Sequence, residues 1–146
     1  MKIYTIGFTK KSAEHFFQLL KDHQVGRLID VRLKPGGQLA GFAKQDDLTY
    51  FLRQLVECEY HHFDFLAPSE DILKSYRQDK DWQRYEQRFE ALMDERHVMS
   101  RLDPAFFAGR ACCLLCSEDA PDRCHRRLVA ERLARHWPDV EIVHLT

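Results

Sequence analysis

The residues of this chain best suited to chemistry crowd into one stretch, Cys116-Ser117-Glu118-Asp119-Ala120-Pro121-Asp122-Arg123-Cys124-His125-Arg126. A thiolate there can attack an electrophilic centre, a base can take up a proton, and guanidinium groups can hold an anion. In that scheme Cys116 or Cys124 is the nucleophile, and His125, Glu118 or Asp30 handles protons. Spacing argues against two better-known arrangements. Arg126 stands only two positions beyond Cys124, which does not match the Cys-five-residue-Arg loop of tyrosine phosphatases. The seven residues between Cys116 and Cys124 match no short zinc-knuckle spacing, and adjacent ligands such as Cys124 and His125 seldom chelate one ion together, so no metal or cofactor is assigned. A structural alternative stands beside the chemical one: Glu118 and Asp122 tie down Arg123 and Arg126 while both thiols pack inward.

The elements on either side decide where that stretch sits. Ala111-Cys112-Cys113-Leu114-Leu115 is an uninterrupted apolar run, and Leu128, Val129, Leu133 and Trp137 recur at helical spacing beyond it, so the stretch joins a buried strand to a helix. With Asp122 as N-cap, Cys124 and His125 enter the first turn, where unpaired amides and the helix dipole favour thiolates and bound anions. Upstream, Lys2 to Ile6 and Leu28 to Val31 read as strands around a helix from Ser12 to about Asp22. Residues Leu33 to Lys44 read as a long loop, and Asp46 or Asp47 caps the next helix. Tyr60 to Phe65 is a third strand, and Ser69 caps Glu70 to Arg77. The stripe Trp82, Tyr85, Phe89, Leu92 and Met93 over Asp81 to Arg96 is assigned to core packing. Residues His97 to Arg110 are irregular or weakly helical, and Val140 to His144 form the last strand.

This alternation predicts a single three-layer α/β domain, residues 1–146, with a largely parallel central sheet flanked by helices. In such a sheet the clusters Gly7 to Thr9, Asp30 with Arg32, and Cys116 to Arg126 all follow strand C-termini and converge on one crevice. Gly7 would let a ligand approach backbone amides. Thr9, Arg32, Lys34, Arg123 and Arg126 would contact an anionic substrate. Asp30 and Arg32, at i and i+2, share a strand face and suit a mutual ion pair equally well. The basic loop Arg32 to Gly37 lacks the spacing of a Walker loop or a dinucleotide fingerprint.

Composition narrows the partners. A formal net charge of −1 argues against a strongly basic, nonspecific nucleic-acid binder. The N-terminus has no apolar stretch of signal-peptide type, and no run approaches the roughly 20 apolar residues of a membrane span, so a cytoplasmic protein without membrane partners is expected. Five cysteines, an odd count, fit reduced thiols, with Cys112 and Cys113 in the core.

The segments Thr5-Ile6-Gly7-Phe8-Thr9, Leu28-Ile29-Asp30-Val31-Arg32, Leu66-Ala67-Pro68-Ser69 and Leu114-Leu115-Cys116-Ser117-Glu118 through Cys124-His125-Arg126 together resemble the family named domain of unknown function 488. The resemblance follows the family's order through nearly the whole chain and implies one α/β domain, with no settled activity to carry over. Two departures stand out. Phe8 and Thr9 replace the His-Ser or Tyr-Ser that commonly ends the first motif, and Gly36-Gly37-Gln38 stands where many relatives carry Pro-x-Ser-Arg. The residues lead to an expected cysteine-dependent hydrolase or transferase acting on a small anionic substrate, a nucleotide or nucleic-acid component. A noncatalytic nucleotide or nucleic-acid binding module and a metal-site protein are the alternatives.

Overall fold

Every strand of the sheet runs parallel to its neighbours, in the order β3-β2-β4-β1-β5. A computed structural model describes the backbone of all 146 residues and every side chain except those of Gln38 and Leu39. The chain runs β1 (Lys2–Gly7), α1 (Ala13–Asp22), β2 (Arg27–Asp30), α2 (Gln45–Val56), β3 (Glu59–His62), α3 (Glu70–Asp79), α4 (Trp82–Glu95), α5 (Pro104–Gly109), β4 (Cys112–Cys116), α6 (His125–His136) and β5 (Glu141–Leu145). Among the described residues no helix is long and apolar enough to cross a membrane.

The apolar run Cys112–Cys116 is wholly buried because both faces of β4 are covered. Cys113 and Leu115 join Tyr4, Ile6 and Leu28 under Phe16, Phe17 and Leu20 of α1 and Leu48 and Leu52 of α2. Cys112, Leu114 and Cys116 face the opposite layer, with Ile3 and Ile29 beneath Ile72, Phe89, Met93, Leu128, Val129 and Leu133. Alternation at period 2 thus sends one strand's side chains into two separate cores.

Helix starts follow their caps. Ser12, Ser69 and Asp81 accept from the amides of His15, Ile72 and Arg84. Several expected boundaries are corrected. The last helix begins at His125, with Cys124 rather than Asp122 as the residue before it, because Pro121 and Asp122 belong to the preceding turn, where Cys124 N donates to Pro121 O. The second helix is preceded by Lys44, without a side-chain cap, instead of by Asp46 or Asp47. The third strand ends at His62, since Asp64–Leu66 turn into a 3-10 segment. The expected loop before α2 contains a 3-10 segment, Gln38–Ala43. Residues expected to be irregular or weakly helical hold another, Val98–Arg101, and the short helix α5, in keeping with that reading; Pro104 occupies its first turn and Asp103 accepts from Ala105 N.

Candidate functional site

Strands β1, β4 and β2 are adjacent at the centre of the sheet, with Gly7 opposite Cys116 and Asp30 opposite Leu115. Their C-terminal ends therefore lie side by side. The chain leaves β2 toward α2 on one face and leaves β4 toward α6 on the other, which opens the switch-point crevice of parallel sheets. A cavity of about 670 Å³ occupies that place, well within the range for small-molecule sites.

The loop from Ser117 to Cys124 is held from behind. Arg126 is fully buried, and its guanidinium donates to the carbonyls of Glu118 and Asp119 and to Thr5 Oγ1. It also points Nη1 at both sulfurs, 3.3 Å from Cys116 Sγ and 3.6 Å from Cys124 Sγ. Burial lowers its pKa from the usual arginine value. Thr9 reinforces the loop, donating to Ser117 O through its amide at 3.1 Å and its hydroxyl at 2.5 Å. Gly7 must be glycine here, because a Cβ would stand 1.6 Å from Glu118 O. The close approach it permits is that of the protein's own loop. Arg126, Thr9 and Gly7, expected to meet a ligand, are all engaged with the protein's own Ser117–Cys124 loop.

Asp30 lies one layer below the surface. Its carboxylate receives Arg32 Nε at 2.9 Å, Arg32 Nη2 at 2.7 Å, Arg32 N at 3.1 Å and Tyr60 Oη at 2.5 Å. The ion pair the i, i+2 spacing suited is the one that forms. The fork leaves Arg32 Nη1 outside the pair, and Arg32 lines the cavity with its guanidinium 5.3 Å from the Phe8 ring centre.

The floor is Cys116, Cys124 and His125. The two sulfurs, expected as separate reduced thiols, are 2.14 Å apart, within bonding distance, while their Cα atoms are 7.6 Å apart. His125 Nε2 lies 2.6 Å from Val31 O, and since a carbonyl only accepts, that nitrogen carries the proton. Burial pushes the His125 pKa down to about 4, leaving the ring neutral near pH 7 with a lone pair on Nδ1.

Residues that the sequence did not assign to the site, Trp82 and Tyr85 of the core stripe among them, form the far wall. Lys74, Arg77 and Lys80 line it with Tyr76, Trp82 and Tyr85. Trp82 and Tyr85 stack with centroids 4.9 Å apart at 18°. With Arg32, Lys34 and Arg123 the cavity carries six cationic side chains against the carboxylates Glu70 and Glu118, and Glu70 pairs with Lys34. The period-3 spacing of Lys74 and Arg77 on α3 and Lys80 just after its end was the available signal. Of the expected site residues, Arg32, Lys34, Cys116, Glu118, Arg123, Cys124 and His125 share this one cavity.

The family model described as "Domain of unknown function DUF488" matches residues 12–133, most of the chain, and spans β2, β4 and the Cys-His-Arg ending that carry this geometry. The chain belongs to the DUF488 family. No curated protein and no solved structure matches it. Within this DUF488 chain, the departure at the first motif has a local consequence. Phe8 presents a ring to Arg32 and the cavity, but no ring polar atom.

Proposed function

We propose that the crevice takes a small anionic ligand that carries an aromatic ring, a nucleotide or a component of a nucleic acid, and acts on it at the Cys116, Cys124 and His125 floor. One observation carries this reading: six cations and a stacked aromatic pair line a single cavity in a chain whose formal net charge is −1. Cations distributed around the rim suit phosphate oxygens, and flat rings suit a base. The DUF488 family name supplies no chemistry beyond this.

The test is a thermal-shift series with mononucleotides, the matching sugar phosphates and inorganic phosphate, because a ligand that binds only the folded state raises its stability. Nucleotides are expected to raise the melting temperature more than sugar phosphates, and sugar phosphates more than phosphate alone. Equal shifts with all three, or none, would overturn the reading.

A noncatalytic binding module is the second reading, and the burial of the sulfurs favours it: Cys116 is 1% exposed and Cys124 is 3% exposed. Turnover of a bound nucleotide that disappears in both Cys116→Ser and Cys124→Ser decides for the enzyme. Binding without turnover in the wild-type protein decides for the module.

A further inference from the structure

Three groups of metal-binding type meet at the crevice floor, although their sequence spacing does not suggest it. Cys116, Cys124 and His125 each offer a ligand atom, and these atoms lie within 4.8 Å of one another. The fold supplies what the spacing lacks: Cys116 ends β4, while Cys124 and His125 return to it at the start of α6.

Three features point the same way. The Cα separation of 7.6 Å exceeds the roughly 4.4–6.8 Å that a disulfide spans, so the two sulfurs, in contact here, have room once reduced to part and hold an ion between them. His125 Nε2 donates to a backbone carbonyl, the kind of outer contact that fixes a metal-ligating imidazole and leaves Nδ1 as its ligand atom. Arg126 is fully buried and directs Nη1 at both sulfurs, with no carboxylate within ion-pair distance among the described residues, so negative charge on sulfur is what answers it. Asp119, whose backbone carbonyl meets Arg126 Nη2, pairs its carboxylate instead with Lys11 at 2.7 Å.

We propose that the reduced protein binds one soft divalent cation, zinc above all, through Cys116 Sγ, Cys124 Sγ and His125 Nδ1, with a fourth position open to the crevice. Two thiolates and an imidazole are a ligand set for zinc, and three protein ligands leave the vacancy of a reactive rather than a closed site. Binding displaces one proton from each thiol to solvent. Two thiolates cancel the charge of the ion, and the guanidinium hydrogen bonds spread the charge on sulfur. The cation would stand where a bound anion meets the Cys-His floor. Its binding is read without any organic ligand, so this proposal and the nucleotide reading can fail separately.

The experiment uses the full chain, reduced with a trialkylphosphine. That reagent supplies two electrons to open any Cys116–Cys124 disulfide and leaves as the phosphine oxide, with water giving its oxygen and the two thiol protons. The reductant is removed and the protein is titrated anaerobically with zinc, and separately with cobalt(II). The expected result is one ion per chain, with sulfur-to-cobalt charge-transfer bands. X-ray absorption at the zinc edge is expected to give two sulfur neighbours and one imidazole. Cys116→Ser and Cys124→Ser should each weaken binding on the order of 100-fold and reduce the bands. Substoichiometric uptake, a metal shell of oxygen and nitrogen alone, or a sulfur shell without imidazole would each overturn the proposal. The absorption measurement needs no variant, so it decides even where a substitution at the buried floor prevents folding.

Discussion

Gly7 and Arg126 hold opposite sides of the same loop, and each is specified by contact with backbone. Gly7 leaves room for the Glu118 carbonyl, where any Cβ would sit 1.6 Å away. Gly7→Ala therefore forces the loop off β1 and should destabilise the protein by about 3 kcal/mol, toward the upper end for overpacking, as read from urea denaturation. A cost below about 0.5 kcal/mol, the scale of an ordinary surface change, would mean the loop moves freely and is no fixed wall. At this scale the sequence was partly legible. The Cys-Glu-Cys-His-Arg cluster, Asp30 and Arg32 were recognisable by type, but the direction each one faces depends on partners far along the chain. Thr9 answers Ser117, Arg126 answers Thr5, and Tyr60 answers Asp30. None of those pairings leaves a local pattern, so residues expected to touch a ligand are found holding the Ser117–Cys124 loop.

Helices α3 and α4 carry the half of the crevice that periodicity assigned elsewhere. Phe89 and Met93 of α4 are in the core as its stripe requires, and Tyr85 is buried too, yet Tyr85 and Trp82 also border the cavity. An apolar stripe marks the inward face of a helix without saying whether that face meets a core or a cleft. Burial raises the Tyr85 pKa above the ordinary tyrosine value, so its ring meets the cavity uncharged. Lys74 and Arg77 come from α3 and Trp82 and Tyr85 from α4, so two variants separate charge from stacking. Lys74→Ala with Arg77→Ala removes exposed charge, so it should weaken every anionic ligand alike and lessen the salt dependence of binding. Trp82→Ala should weaken nucleotides by roughly tenfold or more, the scale of one lost base stack, and leave inorganic phosphate unchanged. Isothermal titration of both ligands against both variants checks this. Equal losses for nucleotide and phosphate in Trp82→Ala would remove the stacking role.

The molecule as a whole keeps its candidate site and one of its charged anchors at opposite ends of the sheet. Parallel strands give the sheet two unlike ends, and the convergence of β1, β4 and β2 at the C-terminal end was legible from element order alone. The N-terminal end has its own cluster, centred on Glu59 at the start of β3. Glu59 bonds His61 Nε2 at 3.0 Å, Arg110 Nη1 at 2.7 Å and Arg27 Nε at 3.4 Å, linking β2, β3 and the segment before β4. Hydrogen bonding from His61, then from Arg110, holds its carboxyl down at about 2 against an ordinary 4.5. A carboxylate with a depressed folded-state pKa contributes stability above its unfolded value and loses it as pH falls through the folded one. Wild type should therefore exceed Glu59→Gln in stability at pH 7, by no more than about 1 kcal/mol because the side chain is 40% exposed and solvent screens the pairs. The gap should narrow between about pH 4.5 and 2 and be nearly closed at the lower end. Urea midpoints of both proteins across that range give the measurement. A gap that stays constant with pH would assign the effect of the substitution to packing. Ligand affinity at pH 7 should be the same in both proteins, because the cluster stands at the end of the sheet away from the crevice.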